Sequence, residues 1–230
     1  MPTLEDLRPL YCQLGYSTKS DGSAQLSQGK TTVLAGVYGP VEVKRNRERP
    51  DRMDVEVTLQ PRVGQSCVDN RTREAMIRDI TEACVKLVLH PRAGVNLSIH
   101  VLEQDEGVTA AAVNASCLAL ADSGIAMSCL FAAVTIAVVK DSPTDVEQRI
   151  VLDPSLKTLR KAADSCVMVF VFESRKQEIV ATHVQSGKCS EAKFQECLGM
   201  ARKSCLPIFE FYREIIKKKF SKEFPEINME

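Results

Sequence analysis

The segment "VTAAAVNASCLALADSG", residues 108–124, is small and apolar on nearly every side of a helical turn. A helix with no polar face cannot lie on a surface, so this one predicts a central helix buried all round and closed by Gly124. The flanking segments have to cover it. In "MDVEVTLQPR" the alternation sets Met53, Val55, Val57 and Leu59 on one face of a strand, and "GVNLSIHVLEQD" does the same with Val95, Leu97, Ile99 and Val101. Between them, "NRTREAMIRDITEACVKLVLHP" carries apolar residues at 76, 77, 80, 83, 84, 87 and 88, an amphipathic helix expected to run to His90-Pro91. Downstream, "SCLFAAVTIAVVKD" and "RIVLD" read as strands, "PSLKTLRKAADS" as a linking segment for which a helical form stays open, and "CVMVFVFES" with "QEIVATHVQSG" as a hairpin. A last helix starts at a Ser190 cap and runs through Ile216. Pro207 inside it predicts a kink or two consecutive helices.

The stretch "SQGKTTVLAGVYGP", Ser27 to Pro40, imitates a phosphate-binding loop through Gly29-Lys30-Thr31-Thr32. Such a loop needs a glycine five positions before the Gly-Lys pair and a helix after it, whose N-terminal amides face the phosphates. Ala24 stands at the glycine position, and the β-branched run after Thr32 predicts a strand. The reading is a β-hairpin, Ser23 to Gln28 and Thr31 to Tyr38, with Gly29-Lys30 at its tip.

No Gly/Ser/Pro-rich linker or repeat interrupts this order, so residues 1–230 are expected to form one α+β domain, with tails at 1–6 and 218–230, the latter basic and solvated. The apolar runs "VMVFVF" and "AAVTIAVV" exceed what one helix layer needs, which predicts that part of them is covered by another subunit. Nine cysteines lack any C-x-x-C pair and three histidines lack metal-ligand spacing, so no zinc site is expected. The N-terminus has no signal-peptide core and no run reaches membrane-spanning length; a soluble, intracellular protein without membrane contact is expected. Thirty basic residues balance thirty acidic ones, which excludes a global basic footprint for nucleic acid. Any contact with RNA is left to partners or to a local patch. The loop Val41–Arg52 offers one, with Lys44, Arg45, Arg47 and Arg49, joined by Arg71 and Arg73 at the start of the next helix. Two readings stay open: phosphate contacts blind to base sequence, or an ordinary solvated loop diluted by Glu42, Glu48 and Asp51.

Taken in order, "DGSAQLSQGKTTVLAGVYGP", "HPR" before a strand, "NASCLALADSGIAM", "VLDPS" and "FYRE" resemble the RNase PH-like ring subunits of the eukaryotic RNA exosome, from about Leu7 to Lys219. Among these the likeness is greatest to the smallest, non-catalytic subunit. The resemblance implies an RNase PH-like (ribosomal protein S5 domain 2-like) mixed sheet packed with helices. It also implies a ring of six such subunits under S1/KH-type caps, with single-stranded RNA threading the pore in nucleus, nucleolus and cytoplasm. The ancestral chemistry is phosphorolysis of the RNA 3′ end, which needs cationic donors for phosphate and carboxylates for Mg²⁺.

Active members carry a D-G-G-T-R segment before the buried helix, and the matching residues here are Asp105, Glu106, Gly107, Val108 and Thr109, so a threonine stands for the phosphate-gripping arginine. Of two downstream aspartates, the first falls near Leu159 and the second at Ser165 or, with a one-residue slip, Asp164. The resemblance thus implies a degenerate site with no catalytic residue, metal or cofactor. The alternative is a homodimeric Mg²⁺-dependent nuclease using Asp105, Asp153 and Asp164.

Overall fold

The computed structural model describes residues 7–140, 149–162 and 164–223. Its first sheet has five strands in the order β1 (Leu10–Leu14), β2 (Gly22–Gln28), β3 (Thr31–Glu42), β5 (Ala93–Glu103), β4 (Asp54–Gln60). All neighbours are antiparallel except β4 and β5, so the sheet is mixed. The connection between the parallel pair is α1 (Val68–Cys84), as a parallel pairing requires a crossover. The second sheet is antiparallel, in the order β7 (Arg149–Leu152), β6 (Phe131–Lys140), β8 (Asp164–Glu173), β9 (Ile179–Ser186).

Between the sheets lies α2 (Val108–Asp122), packed on β2, β3 and β5 on one side and on β6 on the other. Every residue from Val108 to Leu120 is buried, as its composition required. Small side chains let both sheets approach its backbone. Its one buried amide, Asn114, accepts from the Ala133 N–H at 2.7 Å and donates to the Ala133 carbonyl at 3.0 Å. Strand β7 pairs only Ile136 to Val139 of β6, so Asn114 serves backbone groups that β7 is too short to reach. The hairpin stands as expected, with Gln28 opposite Thr31 and Gly29 at φ +59° in the two-residue turn.

Four expectations change, and one left open, the form of the linking segment, is decided. Helix α1 stops at Cys84, because Val85 is extended and bridges Met127, and only a 3-10 turn, Leu87–Leu89, continues toward His90. The linking segment contains a short helix, α3 (Leu156–Lys161), capped by the Ser155 hydroxyl, which accepts from the Thr158 N–H. Helix α4 (Glu191–Glu223) is a single element across Pro207, so two consecutive helices do not form. The proline itself is buried and Cys205, Ile208, Phe209 and Tyr212 join the core, so tertiary packing outweighs a local cost of about 3 kcal/mol. Residues 218–223 of the expected tail belong to this helix, while 1–6 and 224–230 lie outside the described residues. Finally, β6 and β8 are covered by the chain itself: α2 and α4 pack against them, and Leu159 of α3 joins a second small cluster on Ala137, Val139 and Val167. The first sheet keeps an open outer face beside its edges, where Leu34, Asn96, Ser98 and His100 are half-buried and Tyr38 and Leu102 are exposed.

Candidate functional site

The N-terminus of α2 is reached through Gly107, in the left-handed conformation at φ +75°. A side chain there would meet the Arg8 Nη2 at 2.8 Å, so glycine also makes room for that guanidinium. Arg8 Nη2 donates to Asp153 Oδ1 at 2.6 Å and to the Glu106 carbonyl at 3.0 Å, and its Nη1 lies 3.6 Å from Asp105 Oδ2. The Arg8 backbone N–H reaches Asp153 Oδ2 at 3.3 Å. From the hairpin, Gln28 Nε2 donates to Asp153 Oδ2 at 2.8 Å, and the Thr31 hydroxyl donates to the Glu106 carbonyl at 2.9 Å. A Cβ at Gly29 would come within 2.9 Å of the Arg8 side chain. The turn that resembled a phosphate loop therefore does other work: Gln28, Gly29 and Thr31 clamp a guanidinium, a carboxylate and the loop before α2.

The pair is inside the protein, with the Arg8 side chain 15% exposed and that of Asp153 1% exposed. Asp153 follows β7, at φ +46°, its N–H bonded to the Thr135 carbonyl of β6. Asp105 accepts from the Leu156 N–H at 3.3 Å, which ties α3 to the same cluster. Thr109 is fully buried, and its hydroxyl accepts from Gln185 Nε2 of β9 at 2.7 Å. An arginine at this position would have to displace β9.

The other expected site residues lie apart. Leu159 packs against the apolar cluster on β6 and β8. Asp164 is exposed at the first residue of β8, opposite Lys140, and Ser165 follows opposite Val139. Asp153 binds the backbone of Thr135, and Lys140 is five residues further along β6, so Asp153 and Asp164 are separated by about 17 Å of strand. Asp105, Asp153 and Asp164 therefore do not converge. Neither do the residues present suit Mg²⁺: the two carboxylates that do meet are held by Arg8, Gln28 and the Leu156 amide.

Of the expected RNA contacts, Arg47, Arg49 and Arg71 line one cleft of about 640 Å³ between the loop and α1, together with Asp54, Glu56 and Glu74. Arg47 pairs with Glu56, and Arg49 lies 3.4 Å from Asp54 and 3.9 Å from Glu82. Lys44 and Arg45 are exposed. Arg73 does not join them: it donates to Asn70 Oδ1 at 3.3 Å and lines a neighbouring cleft with Gln65 and Gln104.

Two family models cover most of the chain: "3′ exoribonuclease family, domain 1" matches residues 6–126 and "3′ exoribonuclease family, domain 2" residues 129–204. The chain belongs to the 3′ exoribonuclease family. An exosome complex component RRP46 homolog of Caenorhabditis elegans is 25% identical over 217 residues, 94% of this chain and 96% of its own length. The exosome complex component Rrp41 of Thermococcus onnurineus is 31% identical over 233 residues, 96% of this chain and 89% of its own. The crystal structure of rice Rrp46 matches with a TM-score of 0.79 at 28% identity, covering 90% of this chain and 93% of that one.

Within this exoribonuclease-family fold the two matched regions meet after α2, and the Arg8–Asp153 pair joins them, since Arg8 belongs to the first and Asp153 to the second. Sequence reasoning missed Arg8 and Gln28. Their partner lies 145 and 125 residues away, and no local pattern signals such a contact.

Proposed function

We propose that this chain is a non-catalytic structural and RNA-path subunit of the RNA exosome ring, of the type called component five. It serves 3′-to-5′ RNA processing and decay, rRNA processing and mRNA decay among them. The observation that carries this reading is the placement of Arg8: the chain's own guanidinium fills the space at the α2 N-terminus between Asp105 and Asp153. Phosphorolysis needs an uncompensated positive charge there to hold an attacking anion, and the charge of Arg8 is already offset by the carboxylates of Asp153 and Asp105. With Thr109 buried behind Gln185, no second cation replaces it.

Assembly supports the same reading. The relatives that match along nearly the whole chain are exosome components, and among the described residues the edge strands β1, β4, β7 and β9 pair on one side only, which suits side-by-side subunits. The partners are other RNase PH-like ring subunits, S1/KH-type caps and single-stranded RNA, in nucleus, nucleolus and cytoplasm. RNA contact falls to Lys44 and Arg45, whose charges are exposed, ahead of Arg47 and Arg49, whose charges are already paired. No metal or other cofactor takes part.

Affinity purification of the tagged chain, with its partners identified by mass spectrometry, tests the assembly. The purified chain, given single-stranded RNA, Mg²⁺ and millimolar phosphate, is expected to release no nucleoside diphosphate. Phosphate-dependent release that Asp153→Asn abolishes would overturn the non-catalytic reading.

A further inference from the structure

Strand β1 is an edge of the five-stranded sheet, paired only with β2. Its register runs Leu10 opposite Gln28 to Leu14 opposite Ala24. Two bonds that frame this ladder, Gly15 N–H to the Ser23 carbonyl at 2.9 Å and Gly29 N–H to the Pro9 carbonyl at 3.0 Å, fix its parity. In an antiparallel pair, bonded positions alternate along the strand. Residues 9, 11, 13 and 15 therefore bond to β2, and the N–H and C=O groups of Leu10, Cys12 and Leu14 point away from it. Among the described residues, no backbone bond reaches those six groups.

The open edge is not bare. A groove of about 560 Å³ runs beside it, lined by all five residues Leu10–Leu14. Successive side chains of a strand point to opposite faces, so a groove lined by every one of them follows the edge rather than either face. Its far wall is the C-terminal half of α4, where Phe211 and Ile215 supply an apolar lower part. One and two turns further on, Lys218 and Lys222 stand exposed on the same wall.

We infer that this groove docks an extended acidic segment of a partner protein, which adds to the first sheet as a further strand beside β1. The unpaired backbone groups of Leu10, Cys12 and Leu14 supply the ladder. Apolar side chains of the segment pack on Phe211 and Ile215, and its carboxylates meet Lys218 and Lys222. Charge complementarity selects an acidic occupant over a basic one. The unpaired peptide edge and the aliphatic lining select a polypeptide over a nucleic acid, which would need stacking faces and a phosphate track. This surface stands independently of the proposal for the α2 N-terminus, since none of its residues takes part in that cluster.

The test uses the full chain and a fluorescein-labelled eight-residue peptide alternating valine and glutamate, with a valine–lysine peptide as control. Fluorescence anisotropy is expected to show binding of the acidic peptide alone, weakened at least tenfold in Lys218→Glu/Lys222→Glu. Hydrogen exchange supplies a second readout that charge attraction alone would not move: in the free chain the amides of Leu10, Cys12 and Leu14 exchange faster than those of Tyr11 and Gln13, and the peptide protects them. Absence of that protection, or equal binding of the basic peptide, overturns the inference. So does a twelve-residue oligouridine that displaces the peptide, which would make the groove an RNA track. Loss of self-association in the Lys218→Glu/Lys222→Glu variant by sedimentation would assign the groove to a second copy of this chain and overturn it equally.

Discussion

Replacing Arg8 with methionine keeps an unbranched stem but shortens the side chain and removes its charge together with its hydrogen bonds to Asp153 and the Glu106 carbonyl. Asp153 would then remain 1% exposed, with Gln28 Nε2 and the residue 8 backbone N–H as its donors and no cation at 2.6 Å. A buried carboxylate stripped of its partner costs about 3–5 kcal/mol, against about 0–1 kcal/mol for a surface pair. In a chain of this size, about 2–4 °C of melting temperature accompanies each kcal/mol, so a drop of roughly 6–20 °C is expected. Denaturant unfolding should show a lower midpoint with an unchanged slope. Asp153→Asn supplies the second arm of a double-mutant cycle, because asparagine adopts the left-handed backbone at φ +46° as readily as aspartate. Its neutral amide needs no cation, so the double variant should recover about 2 kcal/mol relative to the sum of the singles. If Arg8→Met costs less than about 1 kcal/mol, or the two changes add within about 0.5 kcal/mol, the pair is not the fastening between the two matched regions that its geometry describes.

Thr109→Arg should restore no phosphorolysis and should lower stability by several kcal/mol, because it buries a charge and deletes the Gln185 bond; diphosphate release and thermal melting measure both. Lys44→Ala/Arg45→Ala should flatten the salt dependence of RNA binding by the assembled ring by about 1.4 in logarithmic slope, while Arg47→Ala/Arg49→Ala should change it less, since those cations are already paired. Equal effects of the two double variants would return the whole loop to a single class. Stability should fall at alkaline pH: burial pushes the Cys12 and Cys117 thiols up to about 12 and Cys197 to about 11, from an ordinary value of about 8.5. The unfolded chain then releases these protons first, so the contribution is complete below about pH 8.5 and declines as pH rises toward the folded values, by at most about 1.4 kcal/mol per pH unit for each thiol. A denaturation midpoint unchanged between pH 8 and pH 10 would contradict it.

Much of the fold is legible in local pattern. The all-round apolar character of residues 108–124, the alternation at Val95 to Val101, and Gly29-Lys30 between two β-rich runs each specify an element through its own neighbours. The candidate site is legible only in part, since the resemblance singles out Asp105, Gly107 and Thr109 but not the Arg8 and Gln28 side chains that gather beside them. Arg8 lies in an unremarkable charged N-terminal stretch, and Gln28 looks like one more residue of a hairpin. The basic loop read as a cluster of cations because its acidic partners, Glu56 and Glu82, are remote in sequence or on another element.

By itself the sequence determined most of the strands and helices, though not β1, and which helix lies at the centre. Side-chain period and backbone preference act over a few residues, and those properties are local. Tertiary structure alone decided that α1 ends at Cys84, where Val85 finds Met127, and that α4 runs unbroken through Pro207, where packing outweighs a lost hydrogen bond. It alone turned three hairpin residues, a distant arginine and two aspartates into one buried cluster at the head of α2. The free energy of a buried ion pair depends on the distance between charges and on their removal from water, and neither exists until residues 145 positions apart have been brought together.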